Sequence, residues 1–203
     1  MYKEIMHTID NFSEENITEI RKKILLSFIS YIQANVNHHL PIRLLFICTH
    51  NSRRSHLSQV WAQTMAYHFG IKDIYCYSGG TEVTAIYPRV IETLQHEGFH
   101  IQQLSEGSNP IFAVKYDPDE LPILCFSKKY KNEYNPNAEF TAIMNCSSAD
   151  DACPFVSGAD ARFIIQYNDP KVYDGTDLEY SKYLERSMEI GQEMWYVFKH
   201  IIT

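Results

Sequence analysis

The 203-residue chain predicts an α/β fold: a three-layer sandwich in which helices flank a mainly parallel four-stranded sheet, with an N-terminal helical extension and an inserted hairpin. Two observations carry this expectation. Short apolar runs of strand length alternate with segments of helical periodicity, and the run Leu44 to Ile47 is continuously apolar, as in a strand buried on both faces. A hydrophobic content of 45% over this length suits the core of one good-sized domain, expected over residues 41–203 with an extension over residues 1–40.

Taken in order, Ser13 reads as an N-cap before Glu14 and Glu15, and Ile17, Ile20, Ile24, Phe28 and Tyr31 follow at helical spacing up to Asn35. Pro41 precedes the strand Leu44 to Ile47. After a polar loop, His50 to Ser55, the residues Leu57, Val60, Trp61, Thr64 and Met65 share one helical face. Cys48 therefore lies where a strand ends and a helix begins. Asp73 to Tyr77 predicts a second strand closed by Ser78-Gly79-Gly80, and Pro88 to Gln95 a short helix stopped at Gly98. Ile111 to Phe126 reads as two strands about an Asp-Pro turn, and Ala142 to Asn145 as a strand ending at Cys146. Thr176 and Glu179 form a capping-box pattern ahead of a final helix carrying Leu184, Met188, Trp195, Phe198 and Ile202. In open α/β sheets ligands bind beyond the carboxyl ends of the strands, which is where Cys48 stands.

The net charge of −7 argues against a nucleic-acid footprint, because a binder of phosphate backbones shows a basic face. MYKEIMHTID has no apolar core after a basic start, so it is not a secretory signal. The longest apolar stretch, ILLSFISYI, is too short to span a bilayer. These features predict a soluble, cytoplasmic chain with no membrane partner. Five cysteines, an odd number spread widely, predict free thiols rather than a disulfide scaffold.

The stretch CTHNSRRS, Cys48 to Ser55, places a cysteine and an arginine six positions apart around a strand-to-helix loop. Such a loop can turn successive N–H groups inward as an anion nest, and the helix N-terminus adds partial positive charge at the same point. A cysteine opening a loop of this kind becomes a nucleophile near neutral pH. An arginine closing it can fold back and grip a tetrahedral oxyanion with its planar fork. Spacing and context alone leave this reading level with a plainer one, a buried strand-end Cys48 and a solvated Arg54.

The same string resembles the phosphate loop of the low-molecular-weight protein tyrosine phosphatase superfamily, which includes the thioredoxin-coupled arsenate reductases and whose pattern is C-x5-R-S after a hydrophobic strand. His50 is an accepted variant of that pattern, and Arg53 stands where small residues or Cys are usual. The resemblance runs from about Ile42 to the end of the chain. It implies Cys48 as nucleophile, Arg54 as oxyanion clamp, and Thr49, His50, Asn51, Ser52, Arg53 and Ser55 as the oxyanion-binding loop. YNDPKVYDGT resembles the segment carrying the general acid, here Asp169 before Pro170. CSSADDACP, with Cys146 and Cys153, resembles the redox segment of the arsenate reductases and is absent from the phosphatase pattern.

The resemblance thus implies reduction of arsenate to arsenite through a Cys48 adduct and a Cys146/Cys153 disulfide relay, with thioredoxin or another thiol as reductant. The alternative is a phosphatase that hydrolyses phosphate esters through a phosphocysteine. If Cys146 to Cys153 formed one intact helix, their Cα atoms would stand about 10.5 Å apart, beyond the roughly 4.4–6.8 Å of a disulfide. The segment must therefore bend or unwind in turnover, and Ser147, Ser148, Asp150 and Asp151 are weak helix formers.

Other signals have plainer readings. HEGFH matches the H-E-x-x-H zinc pattern, but Gly98 is expected to end the helix before His100. Some arsenate reductases carry an acidic residue tied to a potassium site where this chain has Gln59. No metal or cofactor is expected. Cys76 and Cys125 read as core residues. Tyr116, Tyr130 and Tyr134 either contact substrate or cover the core, the second being preferred.

Overall fold

A computed structural model describes residues 1–152 and 155–203 of the chain. Four parallel strands, β1 (Ile42–Cys48), β2 (Ile74–Gly80), β6 (Phe140–Met144) and β7 (Ala159–Ile164), form one sheet in the order β2-β1-β6-β7. Helices α3 (Arg54–His68), α4 (Pro88–His96) and α6 (Glu179–Lys199) pack together over one face, and the six-residue α5 (Ser147–Ala152) follows β6. β1 runs through the middle of this sheet and is buried along almost its whole length, as its uninterrupted apolar run requires. The two cores reflect the layers. A large cluster between helices and sheet contains Leu44, Phe46, Trp61 and Phe198, and a smaller one on the opposite face contains Leu45, Ile47, Cys48 and Cys146.

The expected hairpin is present but larger. β4 (Phe112–Lys115) and β5 (Ile123–Cys125) pair antiparallel, and β3 (His100–Gln103) adds a third strand along β4. Sequence reading passed over β3 because its residues, HIQQ, are largely exposed and carry no apolar alternation. The same reason hides β7, an edge strand with an irregular burial pattern.

The N-terminal extension departs from the single helix expected from Ser13. Ser13 caps only a 3-10 turn, Glu14–Asn16, and Ile17 is extended and buried. Thr18 then caps α2 (Glu19–Asn37), its hydroxyl accepting from the N–H of Arg21 at 3.3 Å. A further helix, α1 (Lys3–Asp10), precedes the turn and buries Ile5 and Ile9, a pair too short to register as a period. Leu25, Phe28 and Ile32 of α2 join the large core. At the other end, α6 begins at Glu179 rather than at Thr176. Thr176 and Glu179 instead tie the turn before it, accepting from the N–H groups of Leu178 and Gly175.

HEGFH divides as expected: α4 ends at His96, Gly98 adopts a left-handed φ of 100°, and the ring of His100 in β3 stacks on Tyr2. Glu97, between them, is buried. One carboxylate oxygen accepts from Ser187 Oγ at 2.7 Å, and the hydroxyl of Ser187 accepts from Trp61 Nε1 at 2.9 Å. Among the described residues its other oxygen has no partner, and burial pushes its pKa up to about 8.

Candidate active site

The loop Cys48 to Arg54 joins the carboxyl end of β1 to α3. Each of its carbonyls from Cys48 to Arg53 faces outward onto a donor of the surrounding protein. Cys48 O accepts from Thr81 N, Thr49 O from Glu82 N, and Ser52 O from Tyr87 N. His50 O accepts from Ser127 Oγ at 2.8 Å, Asn51 O from His56 Nε2 at 2.9 Å, and Arg53 O from the amides of His56 and Leu57. In a trans peptide the N–H points opposite to the C=O, so this pattern turns the amides of residues 49–54 toward the loop's centre. The sequence makes that possible at two points. Asn51 takes a left-handed φ of 46°, a conformation Asn tolerates, and its side chain bridges Ser55 Oγ and the amide of Lys128, each at 2.9 Å. Gly80 lets the neighbouring chain lie against the loop, since a Cβ there would come within 2.7 Å of Thr49 O and 2.8 Å of Asn51 N.

Cys48 Sγ lies 3.0 Å from Ser55 Oγ. Because Ser55 Oγ accepts from Asn51 Nδ2, its own proton is free to point at the sulfur, the partner a thiolate needs. His56 is fully buried, and burial followed by the nearby Lys128 charge holds its pKa well below the usual value. The neutral ring must donate from Nε2, because Asn51 O can only accept, which leaves Nδ1 to accept from Ser78 Oγ at 3.2 Å. His56 thus acts as a strut beneath the loop.

The two arginines diverge. Arg54 turns toward the segment after β7, donating to Tyr167 O at 3.0 Å and to Asp169 Oδ2 at 2.5 Å. The other oxygen of Asp169 accepts from Lys171 N and caps the turn Pro170–Tyr173. Arg53 turns away from Arg54's partners into a cage, pairing with Asp174 at 2.5 Å, donating to the hydroxyl of Tyr183, and stacking 4.2 Å over the ring of Tyr87. The position of Cys146 follows from β6, which lies beside β1. The amide of Asn145 donates to Ile47 O at 2.8 Å, and Cys146 Sγ reaches Thr49 Oγ1 at 3.4 Å. Cys48, Cys146, Arg54 and Asp169 therefore gather around one loop, together with the expected Thr49 to Arg53 and Ser55. Cys153 lies outside the described residues.

Sequence reading missed Tyr167, Ser127, Lys128, Asp174 and Tyr183, whose contributions come through backbone groups or distant elements that no local pattern marks. Gly80 alone left a trace, in the strand-closing Ser78-Gly79-Gly80. Tyr116 and Tyr134 line a cavity of about 700 Å³ beside β2 whose walls include no loop residue, and Tyr130 packs against the smaller core. Cys76 and Cys125 are buried, and burial pushes their thiols up, that of Cys125 to about 12. Gln59 donates to Cys76 O at 3.1 Å. Among the described residues no group of three or more His, Cys, Asp or Glu is placed to hold a metal, and no helix is long and apolar enough to cross a membrane.

A cysteine at the carboxyl end of a parallel strand, opening a loop of inward amides that an arginine closes, has the geometry of an anion-binding loop on an α/β sheet. Residues 43–138 match the family model of the low molecular weight phosphotyrosine protein phosphatases. An arsenate reductase of Bacillus licheniformis is 28% identical over 152 residues, covering 74% of this chain and 91% of its own. Solved structures that share the fold include two of particular relevance. A low molecular weight protein tyrosine phosphatase from T. tengcongensis has 17% identity and a TM-score of 0.52, over 75% of this chain and 95% of that one. An arsenate reductase in the phosphate binding state has 16% identity and a TM-score of 0.50, over 79% and 99%. The segment that carries the loop is thus similar to the low molecular weight phosphotyrosine protein phosphatases, and the chain is an enzyme, either an arsenate reductase or a phosphatase.

Proposed function

We propose that the protein reduces arsenate to arsenite with thiols as the electron source. The observation that carries this reading is the placement of a second thiol, Cys146, against the loop of the first through Thr49. Thiolate Cys48 attacks arsenic in an arsenate held by the loop amides and Arg54, and the departing oxygen leaves as water after protonation by Asp169. Cys146 as thiolate then attacks Cys48 Sγ. The S–As electron pair passes to arsenic, which falls from As(V) to As(III) and departs as arsenite, while the two thiols become a disulfide. Cys153 attacks Cys146 in turn, freeing Cys48 and leaving a Cys146–Cys153 disulfide that a thioredoxin-type dithiol reduces by exchange. The six-residue α5 directly follows Cys146, and this step requires it to bend or unwind.

A phosphatase reading is favoured by Arg54 and Asp169, which serve phosphate-ester hydrolysis equally well: water would attack the phosphocysteine in place of Cys146. Thioredoxin-coupled arsenate reduction and aryl-phosphate hydrolysis, each measured for the natural chain, Cys48→Ser and Cys146→Ser/Cys153→Ser, separate the two. Arsenate reduction confined to chains with all three cysteines is the expected result, and reduction that survives the double substitution would falsify the relay.

A further inference from the structure

Arg54 is oriented by a backbone carbonyl, that of Tyr167, and Tyr167 is itself held by residues far from the loop. Its hydroxyl donates to Glu193 Oε2 of α6 at 2.8 Å. The carboxylate of Glu193, almost fully buried, is gripped by Arg21 of α2 through two bonds of 2.6 Å, one to each oxygen. The third arm of the same guanidinium donates to Gln166 O at 3.1 Å, one residue before Tyr167, and the guanidinium lies 5.1 Å over the Tyr167 ring. Arg186 of α6, a second cation near Glu193, pairs with Glu189. The backbone between Ile165 and Tyr167 is fixed on its other side by β6, through Ile165 N to Met144 O, Tyr167 N to Asn145 O, and Asn145 Nδ2 to Ile165 O. Gln166 and Tyr167 are thus clamped from both sides, and the carbonyl that leaves the clamp is the one Arg54 meets.

We infer that Arg21, from the helix preceding the superfamily-matched segment, is a positioning residue for the oxyanion clamp, acting on Arg54 through Glu193 and Tyr167. The inference rests on the proposed role of Arg54 as the group that holds the substrate oxyanion. A planar fork that satisfies both carboxylate oxygens and a backbone carbonyl at once fixes three points, which a lysine cannot do. Removing it leaves the buried carboxylate of Glu193 with Tyr167 as its remaining partner, and that tyrosine must shift to compensate. A displacement of about 1 Å at Arg54 is enough to weaken its hold on a tetrahedral anion.

The test reads Arg54 directly, so it stands apart from whether arsenate or a phosphate ester is the substrate. In protein labelled with ¹⁵N-arginine, the Nε–H resonance of Arg54 is assigned by its loss in Arg54→Lys. Binding of inorganic phosphate is measured by calorimetry, and hydrolysis of para-nitrophenyl phosphate is followed alongside, with kcat and KM determined separately. In Arg21→Met the Arg54 resonance is expected to move or broaden, and phosphate affinity to fall by about ten- to a hundredfold. Arg21→Lys is expected to restore part of both. Leu25→Ala, which cuts into the buried face of the same helix without touching the clamp, is expected to lower stability while leaving the Arg54 resonance and phosphate affinity in place. An unchanged Arg54 signal and affinity in Arg21→Met, or equal losses in Leu25→Ala, overturns the inference. Should Arg21→Met not fold, Arg21→Lys decides, since full natural affinity and an unmoved resonance there reject a positioning role. Failure of the proposed function would show differently, as phosphate affinity unaffected by Arg54→Lys itself.

Discussion

At the carboxyl ends of β1 and β6, Cys48 and Cys146 are 4% and 3% exposed; inside β2 and β5, Cys76 and Cys125 are 7% and 1% exposed. Burial is alike, yet the surroundings differ. Cys48 meets a hydroxyl whose proton is free to serve it, and Cys146 touches the Thr49 hydroxyl and the Ala149 amide. Cys76 and Cys125 are ruled by desolvation, which keeps them protonated and inert. Glu97 follows the second pattern, a carboxyl in the core with one oxygen unpartnered among the described residues. Burial by itself quenches the thiols of Cys76 and Cys125, whereas Cys48 and Cys146, buried as deeply at their strand ends, have hydroxyl or amide partners.

The contrast is broken most directly at its reactive pole. Cys48→Ser should lower both arsenate reduction and aryl-phosphate hydrolysis by at least about a thousandfold, and a smaller loss in either assay would remove Cys48 as the shared nucleophile. Cys146→Ser should abolish thioredoxin-coupled arsenate turnover while leaving hydrolysis within about threefold of the natural rate. Comparable losses in both assays would make Cys146 a support for the loop rather than a redox partner.

Glu97 tests the quenched pole through pH. The folded chain holds its proton to about pH 8, whereas the unfolded chain releases it near the ordinary value of 4.5. Between those values the folded state binds more protons, so stability falls as pH rises through that window and levels off above it. Glu97→Gln should flatten this dependence, with a difference of order a few kcal/mol between about pH 5 and about pH 9 in denaturant titrations. A variant with the same slope as the natural chain would show that Glu97 is ionised in the core. The smallest effect is expected from Cys76→Ala and Cys125→Ala. Each should cost about 1 kcal/mol of stability from the small cavity and leave activity within about twofold. A larger fall in activity would bring these thiols into the chemistry.

Where a local rule and a tertiary contact agreed, the sequence was a good guide. The run Leu44 to Ile47 became the buried central β1 because nothing but a doubly covered strand hides so many apolar side chains in succession. Cys48, Arg54 and Asp169 were legible through the spacing of a loop and its resemblance. The orientation of Arg54 was not, because beside its direct bond to Asp169 it rests on the carbonyl of Tyr167, and a carbonyl is common to every residue. Arg53 reads in the sequence as one more residue of the oxyanion-binding loop. Its cage of Asp174, Tyr183 and Tyr87 draws on elements distant in the chain, and only the fold brings them together. Ser13 failed as a helix start for a related reason: burying Ile17 in the core required one extended residue between two caps.

Among the described residues β2 has no neighbouring strand on its outer side, and the bond from Ile42 N to Asp73 O shows that its odd-numbered residues face β1. The even-numbered groups are met one after another: Ile74 O and Cys76 N by the amide of Gln63, Cys76 O by Gln59, Ser78 O by Asn135, and both backbone groups of Gly80 by Lys128 and Tyr130. An unpaired strand rim is a template for recruiting another chain, and here side-chain amides and one loop stand in for the missing fifth strand. The arrangement acts as insulation against self-association. Gln59→Ala/Gln63→Ala should therefore show itself as turbidity in concentrated solution before it shows as lost catalysis.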